Sequence, residues 1–480
     1  MRTPAIILLI IGALSACTVK VDNITPSNTD VAIYPDYKNI TIPENIAPIN
    51  FSVTDSCRAE AVVFAAGSDT LAVSLSDGCT RIGIKQWQQF MSGKAGSNIT
   101  VTICRTDNGK WIGYKPFSIS VAPDRIDPYV AYRLIPPGYE IWNRMGTYQR
   151  NIETYTEKAI FENRYQRGNC ANCHAFSQNN PNKMMLHVRS RYAGTYIFSP
   201  QSTQKLTADF SKLISNPTYP YWHPNGRFIA FSVNSINQDF HTADQNIIEV
   251  YDNKSDVIVY DLERNAVLKS PLTCADSAFE TFPCFSPDGT RLYFCSAAAI
   301  DSVRRNTTKA KYNICSIAFD VESRSFGTEV DTVFSATAIG KSATMPRISP
   351  DGKFLMFTLI DYGQFPIWHT EADLRIIDLS NNTEIDATAL NSPAADSYHS
   401  WCSNSRWVVF SSRRDDGMHT RLYIAHIDSL GRCTKPFLLP QENPRQYYNE
   451  QLNSYNIPEF ITGEVQQSAL ETNKRIRNTK

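Results

Sequence analysis

Phe282-Pro283-Cys284-Phe285-Ser286-Pro287-Asp288-Gly289, followed by Leu292-Tyr293-Phe294, is the stretch on which the reading of the fold turns. It contains an apolar run, a Pro-Asp-Gly turn and a second apolar run. Proline presets the backbone angle of such a turn, Asp bonds its own backbone and Gly takes the left-handed conformation. The pattern returns at Met345-Pro346-Arg347-Ile348-Ser349-Pro350-Asp351-Gly352, with Phe354 to Phe357 behind it. It also returns at Tyr219-Pro220-Tyr221-Trp222-His223-Pro224-Asn225-Gly226 and, with Ser403-Asn404-Ser405 in the turn, at Tyr398 to Phe410. Taking His223, Ser286, Ser349 and Cys402 as equivalent, the steps are 63, 63 and 53 residues. A third strand ending in Asp follows in three units, as in Val257-Ile258-Val259-Tyr260-Asp261. Repeats of this kind predict propeller blades, each burying its faces against its neighbours.

The F-S-P-D-G turns resemble the WD-like repeat of TolB-type β-propellers. The resemblance covers residues 183–463 and implies a propeller there. Four units do not close a ring, so Gly194–Phe198 and Ser454–Phe460 are expected to supply further blades, six in all, with five as the alternative.

The chain has 480 residues with 47 basic and 47 acidic side chains. A zero net charge argues against nucleic acid as a partner. Hydrophobic residues make up 42% and charged residues 20%, which is globular composition. Short alternating runs between 36 and 122, among them Asn98-Ile99-Thr100-Val101-Thr102-Ile103-Cys104, predict a β-sandwich-like domain with a helix near Lys85–Met91. The fold class expected is therefore mainly β. It consists of that N-terminal domain, a bridging haem-attachment segment at 123–182, a C-terminal β-propeller and a polar tail at 464–480.

The first residues point to export. Met1-Arg2 and the apolar Ile6–Leu14 precede Leu14-Ser15-Ala16-Cys17, which resembles the bacterial lipobox. An ordinary secretory signal cut near Ala16 is the alternative. The reading makes 1–16 a signal peptide, Cys17 the lipidated residue and 17–35 a linker. The protein would then be anchored by lipid in the envelope of a Gram-negative bacterium. Thr18, standing where a retention Asp would be, favours the outer membrane.

One motif carries chemistry. Cys170-Ala171-Asn172-Cys173-His174 has the spacing at which two thiols bond the haem vinyl groups while the adjacent imidazole takes the iron. Haem c, bound covalently through Cys170 and Cys173 with His174 proximal, is the cofactor expected. A Cys170–Cys173 disulfide and a zinc site are the alternatives. Met184, Met185 and His187 are the distal candidates, and an open face would suit ligand binding. The nine cysteines besides Cys17 and this pair read as small buried hydrophobes for the most part. Neither G-x-S-x-G nor H-E-x-x-H occurs, so no hydrolase centre is indicated.

Two function classes follow. One is a haem-bearing envelope lipoprotein in electron transfer or ligand sensing, with a redox partner docking on the propeller. The other is a TolB-like interaction or binding scaffold for envelope partners, in which the cysteine pair is structural. A peroxidase-like enzyme is a weaker third reading, because no acid–base side chain for it is identifiable.

Overall fold

The computed structural model describes residues 19–54, 57–137, 144–165, 169–242, 246–450 and 452–479. The leader and Cys17 lie outside the described residues. Six four-stranded antiparallel sheets succeed one another as the blades of a propeller. Blade two uses strands 169–176, 184–190, 194–198 and 203–205. Blade three uses 218–222, 228–240, 248–261 and 266–268, and blade four 278–285, 291–298, 313–320 and 325–334. Blade five uses 342–348, 354–360, 373–378 and 383–385, and blade six 396–401, 407–412, 421–426 and 437–438.

Blade one closes the ring from both ends of the repeat region. Its strands Tyr129–Ile135, Gly146–Asn151 and Glu157–Glu162 precede the repeats, and its innermost strand, Ser454–Ile461, follows them. The two parts are joined by an antiparallel ladder from Tyr129↔Ile461 to Ile135↔Ser454. Six blades is thus the count, but neither extra segment forms a blade alone. Gly194–Phe198 is the third strand of blade two, and Ser454–Phe460 completes a sheet begun more than 300 residues earlier. The stretch 123–182, read as a bridge, supplies three strands of blade one and the innermost strand of blade two. Its aromatic content masked the strand periodicity: Tyr132 and Phe161 are simply buried in the sheets. Within the tail, Ala469–Asn478 forms a helix capped by Ser468, with Ile476 buried against the cluster between blades one and two.

The repeated turns work as the sequence suggests. Ser286 and Ser349 donate to Asp288 and Asp351 at 2.5 and 2.6 Å, and Gly226, Gly289 and Gly352 hold φ of 69°, 75° and 76°. In the fourth unit Ser405 takes φ 64° without the glycine.

The N-terminal strands form one curled ten-stranded sheet. The long strand Asn98–Asp107 pairs with Ala61–Ala66 along one edge and with both Lys110–Gly113 and Phe117–Val121 along the other. That sharing explains why the sheet is continuous and curled. Helix Ile84–Met91 lays Trp87, Phe90 and Met91 into its core. The same core runs on into blade six, where Tyr37 donates to Leu438 O and Tyr34 to Asp415 Oδ2 at 2.7 Å. Asp127 receives both the backbone N–H and the hydroxyl of Ser403, at 2.8 and 2.6 Å.

Candidate functional site

The innermost strands of all six blades line a central chamber of about 1160 Å³, counted with the solvent it opens to. Each strand carries a one-residue bulge, marked by a register shift against its neighbour. At five of the bulges a residue other than glycine is left-handed: Tyr219 (φ 46°), Phe282 (50°), Met345 (57°), Tyr398 (51°) and Ile457 (49°). Such a conformation costs about 1–3 kcal/mol per residue and persists only where packing enforces it. A bulge re-aims side chains, and here it turns this ring of large residues into the chamber. In four blades the next residue is proline, which has no N–H to leave unpaired where the ladder is interrupted.

Counting back from each turn, His174 in blade two and His399 in blade six stand where blades one, three, four and five have Pro458, Pro220, Pro283 and Pro346. Both histidines are buried in the chamber wall. Neither ring nitrogen of His174 makes a well-formed hydrogen bond, although the Ile457 backbone acts on the ring, while His399 places Nε2 3.0 Å from Met356 O and leaves Nδ1 unpaired. Burial, and then the charge of Arg133, pulls His174 down to about 4; burial and Arg347 pull His399 down to about 3. Both rings are therefore neutral at pH 7. Glu459 accepts from Phe176 N at 2.9 Å, and burial pushes its carboxyl up to about 8. Trp222 and Trp401 stitch neighbouring blades, donating to Ala175 O and Arg347 O at 3.2 and 3.1 Å. These two carbonyls occupy the same repeat position.

The CxxCH residues sit on the innermost strand of blade two. The bulge between Ala171 and Cys173 pairs Cys170 with Arg189 and Cys173 with His187. Residues 187 and 189 share a face, so both cysteines share it too, which a regular strand would forbid at a spacing of three. His174, opposite Leu186, takes the other face. The residue types suit haem c. In this strand, however, the thiols and the imidazole are offered to opposite faces, so one porphyrin does not meet all three without the strand turning.

The distal candidates occupy the adjacent strand. Met184 packs between blades one and two with Phe176 and Leu186, and Met185 packs with Ala175 and Trp222 between blades two and three. His187 Nδ1 lies 3.0 Å from Thr195 Oγ1. None of the three lines the chamber. His223 is a turn residue, with Nε2 2.9 Å from Gly289 O. The ten described cysteines other than Cys170 are free thiols, and Cys284 and Cys295 are fully buried in blade four.

The sequence reading passed over Tyr219, Tyr221, Arg347, Tyr398, Trp401 and Glu459. For all but Glu459 the signal was present in the repeat itself, within four residues before each turn, but only ring closure shows that those positions face one another.

No family model matches the chain, and no curated protein does. Among solved structures it is similar to TolB from Acinetobacter baumannii, at 13% identity and a TM-score of 0.45, covering 79% of this chain and 85% of that one. Kuenenia stuttgartiensis hydrazine synthase is matched at 10% identity and 0.42, over 67% of this chain and 48% of that one. Prolyl oligopeptidase B from Galerina marginata is matched at 10% and 0.36, over 71% and 42%. The six sheets themselves define the chain as a six-bladed β-propeller braced by an N-terminal β domain.

Proposed function

We propose that the protein is a binding scaffold of the bacterial cell envelope, tethered through Cys17, that takes a ligand or a partner segment into the central chamber. The observation that carries this reading is the chamber. Its walls come from every blade, with aromatic rings from blades two, three, four and six, and a few polar groups converge on it, the usual anatomy of a binding pocket. The N-terminal domain, sharing one core with blade six, serves as a rigid spacer between anchor and propeller. Among the described residues no helix is long and apolar enough to cross a membrane, and removal of the anchor by Cys17→Ser is expected to release the exported protein from membranes. The chamber is tested with the neutral fluorescent probe N-phenyl-1-naphthylamine. It should bind once per chain, and Ser400→Trp, which plugs the chamber wall, should abolish binding with the melting temperature held. Undiminished binding to the plugged variant refutes the reading.

A second reading, covalent haem at Cys170 and Cys173, is favoured by the buried, neutral imidazole of His174, which makes no well-formed hydrogen bond. Haem would add redox or ligand-sensing chemistry to the scaffold. A distal ligand from Met184, Met185 or His187 would have to leave the packing described above. A pyridine haemochrome spectrum of protein made in cells that mature cytochromes c decides it. Absence of covalent haem in wild type, or its persistence after Cys170→Ala with Cys173→Ala, removes this reading.

A further inference from the structure

The chamber wall holds a cation that no described carboxylate pairs with at salt-bridge distance. Arg347, on the innermost strand of blade five, donates Nη1 to Pro346 O at 2.8 Å and stacks its guanidinium 5.1 Å from the centre of the Tyr221 ring. It forms no ion pair among the described residues. Its backbone is fixed independently, by the bond from Trp401 Nε1 to its carbonyl. The other polar groups of the wall do not offset it. His174 and His399 are neutral, and Glu459, at about 8, stays protonated at neutral pH. Two further arginines reinforce the positive field from the second strands of blades one and two. Arg133 acts on His174 and Tyr398, and Arg189 acts on Cys173 and Tyr219. Neither forms an ion pair among the described residues. An aromatic chamber with a half-buried guanidinium that forms no ion pair is complementary to an apolar body bearing a carboxylate. Arginine reads that group through two parallel N–H donors, and an aromatic wall holds the remainder.

Resting on the binding-scaffold reading, we infer that the chamber selects an anionic ligand, a carboxylate on an aromatic or apolar body, with Arg347 as the residue that recognises the charge. Replacing the carboxylate by its neutral amide removes the charge while keeping the shape. A hydrogen-bonded ion pair in such a site makes the acid about tenfold to hundredfold tighter than its amide.

The test uses the full exported chain loaded with N-phenyl-1-naphthylamine. Phenylacetate, indole-3-acetate and 1-naphthaleneacetate are each compared with their own amides as displacers of the probe. At least one acid should displace it at a concentration tenfold or more below its amide. Arg347→Gln should bring the ratio close to one, and Arg347→Lys should retain part of it. Equal displacement by all acids and amides overturns the inference and leaves the scaffold reading standing. An acid preference that survives in Arg347→Gln also overturns it, because the charge is then read elsewhere. If the probe itself does not enter the chamber, both readings fall. Should Arg347→Gln not fold, as judged by circular dichroism, Arg347→Lys and the wild-type ratios decide, and wild-type ratios near one overturn the inference.

Discussion

Glu459→Gln is expected to stabilise the propeller, and to do so more as the pH rises. The carboxyl sits in the chamber wall between His174 and His399 in the ring of blades and accepts one backbone hydrogen bond, from Phe176 N at 2.9 Å. Burial pushes it from 4.5 up to about 8, partly opposed by that bond and by Arg347. Because the folded value is above the unfolded one, the native state holds the proton more tightly. The resulting penalty is absent below pH 4.5, grows between 4.5 and 8, and is complete above 8. Taken at face value, the displacement corresponds to about 5 kcal/mol at about 1.4 kcal/mol per pH unit. The side chain borders the open chamber and is only partly shielded from water, so about half of that, roughly 2–3 kcal/mol, is the expected size. Glutamine keeps an oxygen for Phe176 N and carries no ionisable proton. The assay is urea unfolding of both proteins at pH 5 and pH 8.5, read as the difference of differences, which cancels every other titrating group. Glu459→Gln should gain about 2–3 kcal/mol between the two pH values. A difference that does not change with pH would falsify the argument that a buried, protonated carboxyl lies in the chamber wall.

Other perturbations test the rest of the frame. His369 is buried with Nδ1 2.8 Å from Glu371 Oε1 and Nε2 3.7 Å from Glu249 Oε1; burial lowers it, but the two carboxylates prevail and raise it to about 9. Its contribution is full below pH 6.5 and lost as pH rises through 9, so His369→Gln should cost about 2–3 kcal/mol at pH 6 and markedly less at pH 10 in denaturant titrations. Arg414 Nη2 meets the fully buried carboxylate of Asp396 at 2.7 Å. Arg414→Met strands that charge and should cost about 3 kcal/mol, whereas Arg414→Met with Asp396→Asn should recover most of it. Deleting residues 453–480 removes the strand that closes blade one. It should abolish the single cooperative melt seen in calorimetry; an unchanged melt would mean that the ring closes another way.

The repeat units were legible because each turn is a local event. Ser286-Pro287-Asp288-Gly289 and Ser349-Pro350-Asp351-Gly352 specify their backbone within four residues, so spacing alone announced blades. The six-blade count followed from closure, but its agent did not. Ser454–Ile461 pairs with Tyr129–Ile135 across more than 300 residues, a contact that leaves no local trace. The same holds for the segment around Cys170. Its composition suggested a bridging segment between domains, whereas blade packing extends it as a strand and buries Met184 and Met185 in the layers between blades. The chamber residues were visible one by one as a Tyr-Pro or Met-Pro before a turn. Their convergence depends on bulges and left-handed residues that only the assembled ring holds in place. The sequence by itself determined the β class, the repeat and the CxxCH spacing, since these are written in neighbouring residues. Tertiary structure decided which side chains meet at the centre, that His174 is buried there without a well-formed hydrogen bond, and that Arg347 forms no ion pair among the described residues, because those facts belong to six strands brought together from distant parts of the chain.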